Sequence, residues 1–123
     1  STNAASGAVV SIKGQNGALT STKTGESLAS STADLASVSS GFGLQGISVT
    51  QASGGPLAIK NAYNQGGDNV GQIATAFADV FDSGSAALTA GRGSFVLKAK
   101  ASVITAPAAD YTESLVISAF GIF

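Results

Sequence analysis

Alternation of apolar and polar side chains is the feature that most constrains this chain, and it is clearest in residues 111–123, YTESLVISAFGIF. Leu115, Ile117 and Ala119 fall on one face of this run, and Val116 and Ser118 fall on the other. A period of two residues is the pattern of a half-buried β-strand. The run continues into residues 120–123 without a polar tail, so this strand is either covered by the rest of the fold or used to contact another molecule.

The same alternation predicts strands in much of the remaining chain, at 8–13, 44–51, 57–63 and 94–105. Turn-forming Gly, Pro, Asn and Asp residues separate these runs at 14–17, 53–56, 64–69 and 106–110. We expect strand 94–105 and the last strand to form a hairpin through the 106–110 loop. The pattern predicts a mainly-β domain, an immunoglobulin-like or jelly-roll-type β-sandwich.

One segment breaks the β pattern. In residues 68–84, DNVGQIATAFADVFDSG, the apolar side chains recur at the three-four spacing of an amphipathic helix. Asp68 or Asn69 can cap its start, and Ser83-Gly84 can end it. The spacing predicts one short helix over 69–82, with two short strands as the alternative because valine, threonine and phenylalanine also suit sheets.

The sequence predicts an N-terminal extension followed by one domain. Residues 1–14 form a candidate extension in which Ala8, Val10 and Ile12 share one strand face, and residues 15–123 form the predicted β-sandwich domain. Residues 18–43 are rich in serine and threonine, which favour a loop with short strands over a helix. The first residue is Ser1 and not methionine, which fits a mature form whose leader has been removed.

Charge is scarce in this sequence and excludes several classes of partner. Only 11% of the 123 residues are charged, the formal net charge is −1, and 44% are hydrophobic. The six basic residues are scattered, so the positive footprint that nucleic-acid binding requires is absent. No apolar run approaches the roughly 20 residues that span a bilayer as a helix. A weakly charged surface favours association between copies.

The residue types that carry most catalytic chemistry are missing. The chain has no histidine and no cysteine, which excludes a Ser–His–Asp triad, a cysteine nucleophile and the usual zinc or haem ligands. The oxygen-bearing residues of DVFDSGS, 79–85, are typical of a helix end and a turn as much as of a cation site. We therefore expect no enzyme activity, no cofactor and no metal.

The closing run APAADYTESLVIS resembles the last strand of secreted bacterial pilins that are assembled by a chaperone and an usher, including the spore-coat-U-like branch. The matching positions are Pro107, Asp110, Tyr111, Thr112, Leu115 and Ile117. The resemblance implies an immunoglobulin-like sandwich that lacks one strand, with the missing strand supplied by the N-terminal extension of a neighbouring subunit. It also implies an assembly chaperone and usher as partners.

On this hypothesis the chain is an extracellular, fimbria-like filament subunit whose partner is another copy of itself. Ala8, Val10 and Ile12 would enter the neighbour as alternate anchors, while the backbone of the extension adds a strand to its sheet. The C-terminal strand would border the acceptor groove, with five residues at or near the contact: Leu115, Ile117, Phe120, Ile122 and Phe123. The helix at 69–82, the short length and the absence of a disulfide depart from that family.

Two other functions fit the same composition. A virion capsid, decoration or surface-layer protein predicts closed or lattice assemblies with point-group symmetry, whereas head-to-tail contacts favour a filament. A monomeric adhesin or carbohydrate-binding module predicts a binding site near Tyr63 or the polar loops, and Tyr63, Tyr111 and Phe42 are the aromatic candidates for a sugar-binding surface.

Overall fold

The computed structural model describes residues 2–101 and 111–121, and residues 2–4 through their backbone alone. These residues form twelve strands: β1 Thr2–Ala4, β2 Ala8–Gly14, β3 Ala18–Thr20, β4 Ser27–Ala29, β5 Ala33–Asp34, β6 Gly41–Thr50, β7 Ser53–Gly54, β8 Ala58–Ile59, β9 Asn69–Val70, β10 Ala78–Asp82, β11 Leu88–Lys100 and β12 Leu115–Gly121. The prediction of a mainly-β chain is confirmed.

The first sheet is built around the long strand β11. β6 pairs antiparallel with its residues 92–100, and β7 pairs with Leu88 and Thr89 on the same edge. β1 pairs with the opposite edge, from Leu88 to Gly91. Within residues 2–101 and 111–121, both edges of β11 are therefore occupied over its first residues only.

The second sheet has the strand order β12-β2-β10-β8, and all its pairings are antiparallel. β2 lies between β12 and β10, and each of its residues from Ala8 to Gly14 has a partner on β12. Two smaller ladders, β3 with β4 and β5 with β9, extend the fold beside these sheets.

A hydrophobic core joins the two sheets in a sandwich-like arrangement. The second sheet contributes buried residues such as Ile12 and Phe81, and the first contributes Leu44 and Leu88. Ile73, which lies outside the strands, is fully buried in the same cluster. No buried side-chain nitrogen or oxygen among the described residues lacks a hydrogen-bond partner, which is the expected condition of a well-packed interior.

The predicted helix over 69–82 is wrong. The segment begins as β9 and ends as β10, with irregular backbone between them. Val80 and Phe81 are both buried although they are adjacent, because the register of β10 against β2 shifts between Asp79 and Phe81. This irregularity produced the three-four spacing. Phe77, which a helix would have placed on the buried face, is 50% exposed.

The only helical element among residues 2–101 and 111–121 is a 3₁₀ turn at Asn61–Tyr63. It falls inside the predicted strand 57–63, of which only β8 is extended. The short strands expected within 18–43 are present as β3, β4 and β5.

The predicted hairpin between strand 94–105 and the last strand is also wrong. β11 pairs with β6 in the first sheet, whereas β12 pairs with β2 in the second. The two strands therefore belong to different sheets. The expected loop 106–110 and residues 102–105 of the predicted strand lie outside the described residues. Alternation shows which side chains share a face, but it does not specify which strand lies alongside.

No helix among the described residues is long and apolar enough to cross a membrane.

Candidate assembly site

The edge strand β12 is apolar and exposed on both faces. Its partners on β2 define the faces: Ile117 lies beside Ile12, which is 1% exposed, so Ile117 is on the inner face, toward the core. Ile117 is nevertheless 51% exposed. On the outer face, Val116 is 48% exposed and Phe120 is 53% exposed. Within residues 2–101 and 111–121, the only strand that pairs with β12 is β2.

The second half of β11 has the same character. Leu97 lies beside Leu44, which is completely buried, so Leu97 is also on an inner face, yet it is 46% exposed. Phe95, two residues earlier on the same face, is half-buried. Among the described strands, only β6 pairs with β11 beyond Gly91 along this half.

An apolar cavity of about 170 Å³ lies between these two strands. We call it the open groove, and its lining residues are Ala8, Val10, Leu57, Phe81, Gly91, Gly93, Phe95, Ile117 and Ala119. One wall is β11, the other is β12, and none of the lining residues is charged. The open groove is therefore an uncharged opening between an edge of the first sheet and an edge of the second.

The backbone of β11 points half of its hydrogen-bonding groups toward this open side. Leu44 exchanges two hydrogen bonds with Gly71, at 3.0 and 2.8 Å, so its amide and carbonyl point away from β11. Paired residues of an antiparallel ladder alternate between bonding each other and pointing outward. Leu97, the partner of Leu44, therefore directs its N–H and C=O to the open edge, as do Phe95 and Ala99.

The same reasoning identifies the outward groups of β12. The Gln15 amide donates to the Ser114 carbonyl at 2.9 Å, so residue 114 bonds toward β2. Ala8 and Gly14 direct their backbone groups to the other neighbour, since the Ser83 amide donates to the Ala8 carbonyl and the Gly14 amide donates to the Ala74 carbonyl. The alternation then leaves the backbone amides and carbonyls of residues 115, 117, 119 and 121 directed away from β2, toward the open edge of the sheet.

The predicted donor residues lie in the second sheet of their own chain. Ala8 and Ile12 are buried in the core, and Val10 is half-buried at the floor of the open groove. β2 is hydrogen-bonded on both edges in this arrangement. It is an integral strand of the sandwich, and its donation to a neighbour stays a prediction.

The predicted C-terminal contact residues divide between the two faces. Ile117 lines the open groove, Leu115 packs against the core beside it, and Phe120 lies on the outer face of the sheet. Ile122 and Phe123 fall outside the described residues.

Sequence reasoning missed the opposite wall of the groove. Phe95, Leu97 and Ala99 have the alternation of a core-facing strand, and this inward orientation is correct. Their exposure depends on which strand covers them, and no local pattern reports that. Gly93 shapes this wall of the groove through its lack of a side chain. A Cβ at this position would lie 2.6 Å from the Phe81 ring, so only glycine lets β11 approach the groove floor so closely.

Glu113 fixes the start of β12. Its carboxylate accepts hydrogen bonds from the backbone amides of Asn16, in the turn after β2, and Ala18, at the start of β3, at 3.0 and 3.2 Å, and from that of Ser114 at 2.8 Å. Bonds of this kind to a charged acceptor are stronger than those between neutral groups. They hold the wall that β12 contributes to the open groove.

The oxygen-bearing residues of 79–85 have structural partners. Asp79 accepts a hydrogen bond from the Ser11 hydroxyl at 2.6 Å, and Asp82 accepts one from the Gly84 amide and lies 3.8 Å from the Lys60 ammonium. The Ser83 hydroxyl accepts a hydrogen bond from the Ala8 amide. Among the described residues, no group of three or more metal-ligating side chains is placed to hold an ion.

Two of the three aromatic candidates for a sugar-binding surface are buried, and the third, Tyr111, is partly buried. Phe42 is 3% exposed and Tyr63 is 4% exposed, and both belong to the core. The Tyr63 hydroxyl donates to the Gln72 carbonyl at 2.8 Å. Burial, with a smaller contribution from the nearby Asp79 carboxylate, raises the pKa of Tyr63. These two side chains therefore stabilise the interior and are not available to a glycan.

Comparison with protein-family models, with curated proteins and with solved structures found no match.

Proposed function

We propose that the chain is the structural subunit of an extracellular filament, and that copies assemble by adding a strand of one subunit to the open groove of the next. The observation that carries this proposal is an uncharged cavity lined by Phe95 on β11 and by the half-exposed Ile117 on β12. Leu97, two residues beyond Phe95 on the same inner face, is also half-exposed. Inner faces of a sandwich are normally buried. A strand from a second copy would bury them.

The position of β1 supports β11 as the edge that receives the added strand. β1 pairs antiparallel with β11 from Gly91 to Leu88. A strand of a second copy on this same edge would run along residues 93–100, bonding the outward groups of Phe95, Leu97 and Ala99. Its side chains would pack on the inner face of β12. Strand addition of this kind takes affinity from main-chain hydrogen bonds and register from alternate side-chain pockets.

We also propose a specific fold and a donor strand. The sandwich is of the immunoglobulin-like or jelly-roll type and lacks one strand, and the N-terminal extension of a neighbouring copy supplies it. Because β2 is hydrogen-bonded to two strands of its own chain, donation by Ala8, Val10 and Ile12 requires β2 to leave that sheet. Donation by the residues before β2 leaves the second sheet intact but requires β1 to leave β11 of its own chain.

Electron microscopy of three proteins tests the proposal. The full chain should form long uniform fibres. Ile117→Lys should abolish them, because it places a charge on the inner face where the incoming strand would pack. Val116→Lys is the matched control, since this neighbouring residue is equally exposed but lies on the outer face.

Fibres from Ile117→Lys that match those of the full chain would refute the groove as the assembly site. Closed shells from the full chain would favour the capsid or surface-layer alternative, and single particles would favour a monomeric protein. A variant lacking residues 1–6 locates the donor, since it keeps β2 in place. A variant starting at Gly14 would instead lose a central strand of the second sheet.

A further inference from the structure

We propose that β12 pairs with β12 of a second copy, antiparallel, about a two-fold axis that passes beside Ser118. This contact is separate from the proposed filament contact, which uses the edge of β11 and the inner faces of the groove. It uses the outer backbone edge of β12, and it would join subunits side by side.

The backbone of β12 allows this pairing in one fully overlapping register. Residues 115, 117, 119 and 121 direct their amides and carbonyls away from β2, as the bonds of Gln15 and Ala8 show. Two such edges bond each other when Ile117 of one copy faces Ala119 of the other and Leu115 faces Gly121. All seven residues of β12 are then paired, and Ser118 faces Ser118.

The side chains of β12 are self-complementary in that register. Val116 of one copy faces Phe120 of the other, twice, and these residues are 48% and 53% exposed on the same outer face. Pairs of an aromatic and a β-branched residue stabilise neighbouring strands. The central serine pair can share a hydrogen bond across the axis.

The charge distribution favours a second copy as the occupant. Residues 115–121, LVISAFG, contain no charged side chain and no proline. Exposed edge strands usually carry a lysine, a proline or a bulge that prevents pairing between copies. β12 has none of these, and its register with β2 is unbroken over all seven residues. Two copies therefore meet without like-charge repulsion.

A single cysteine tests the contact, because the natural chain contains none. Ser118→Cys places two sulfurs at a non-hydrogen-bonded pair on the two-fold axis, where the Cα atoms are about 4.5 Å apart, within the range that a disulfide bridges. Val116→Cys is the matched control, because its counterpart in the second copy lies four residues away along the strand. Both variants are oxidised mildly in the full chain and run on non-reducing gels.

We expect Ser118→Cys to form the linked dimer about tenfold faster than Val116→Cys or more, since the paired strands hold the thiols at a high effective concentration. Equal rates for the two variants would mean random collision and would overturn the proposal. No linked dimer from folded Ser118→Cys would also overturn it.

The double variant Val116→Cys/Phe120→Cys checks the register, because the proposed pairing places each Cys opposite its counterpart and predicts a doubly linked dimer. Fibre formation by reduced Ser118→Cys tests the filament contact separately. Fibres without crosslinking would leave the proposed function standing and reject this pairing. Crosslinked dimers without fibres would support this pairing and reject the proposed filament contact.

Discussion

β2 and β12 are adjacent strands of one sheet, equal in length and nearly equal in composition, but they lie in different environments. β2 reads AVVSIKG and β12 reads LVISAFG. β2 is bonded on both edges and contributes two buried residues to the core, whereas β12 is bonded on one edge among the described strands and exposes Val116, Ile117 and Phe120. The difference arises from the neighbours of each strand and not from its sequence. It also locates the part of the sandwich that another copy could complete.

Ile12 and Ile117 give the largest expected effect, because these two residues are direct partners across the strands. Ile12→Ala should lower the free energy of unfolding by about 3 kcal/mol, since Ile12 is 1% exposed and its loss leaves a cavity. Ile117→Ala should cost about 1 kcal/mol or less, because half of the side chain already contacts water. Urea unfolding of dispersed protein, followed by circular dichroism, measures both. Equal losses would show that Ile117 is covered in the dispersed chain and would remove the contrast between the strands.

Glu113 tests how firmly β12 is held. Glu113→Gln should destabilise the chain by about 1.5 kcal/mol, because the amides of Asn16 and Ala18 lose a charged acceptor that is only partly exposed. The amides that β12 and β2 share should exchange faster with solvent, while those of β6 change less. The matched control is Glu26→Gln, which alters an exposed carboxylate. A variant as stable as the control would mean that this carboxylate does not fix the strand.

The buried side of the sandwich should respond to high pH through Tyr63. Burial raises the pKa of Tyr63 above the value of about 10 in an unfolded chain, so the folded chain holds this proton more tightly. The stabilisation is fully present below pH 10 and is lost as the pH rises through the higher folded value. Tyr63→Phe should show a smaller fall in stability across this range, by denaturant titration from pH 8 to 12. An unchanged pH dependence would contradict the assignment.

Ala90 gives the smallest effect, in the doubly paired part of β11. Its φ of 52° lies in the left-handed region, which costs a residue with a side chain about 1 kcal/mol or more. Ala90→Gly should therefore raise the free energy of unfolding, by about 0.5 kcal/mol once the greater freedom of glycine in the unfolded chain is subtracted. Ala99→Gly, at an exposed position of the same strand, should lower it. Thermal unfolding distinguishes the two signs.

The sequence alone predicted a mainly-β chain and the alternation of faces along individual strands. Leu115, Ile117 and Ala119 do share one face, as do Phe95 and Leu97, because alternation is a local property. The partner of each strand was not predictable, which is why the hairpin prediction was wrong. The prediction of a helix at 69–82 was wrong because the register shift beside Val80 and Phe81 places these adjacent residues in the core. Their spacing in the sequence therefore resembled that of a helical face.

The open groove could not be predicted from the sequence for the same reason. Its walls belong to two sheets, and the exposure of Phe95 or Ile117 depends on the absence of a covering strand among the described residues. Glu113 was also missed, although it stands immediately before the predicted last strand. Its three amide donors belong to Asn16, Ala18 and Ser114, and two of these lie almost a hundred positions away in sequence.

Hydrogen exchange at alternate amides of β11 tests the central claim most directly, namely that the open groove receives a strand from another copy. The assembled protein is compared with the dispersed protein, residue by residue. The amides of Phe95, Leu97 and Ala99 should become strongly protected on assembly, whereas those of Val96 and Lys98, which already bond toward β6, should be protected in both states. Amides of Phe95, Leu97 and Ala99 that exchange as fast in fibres as in the dispersed chain would contradict it.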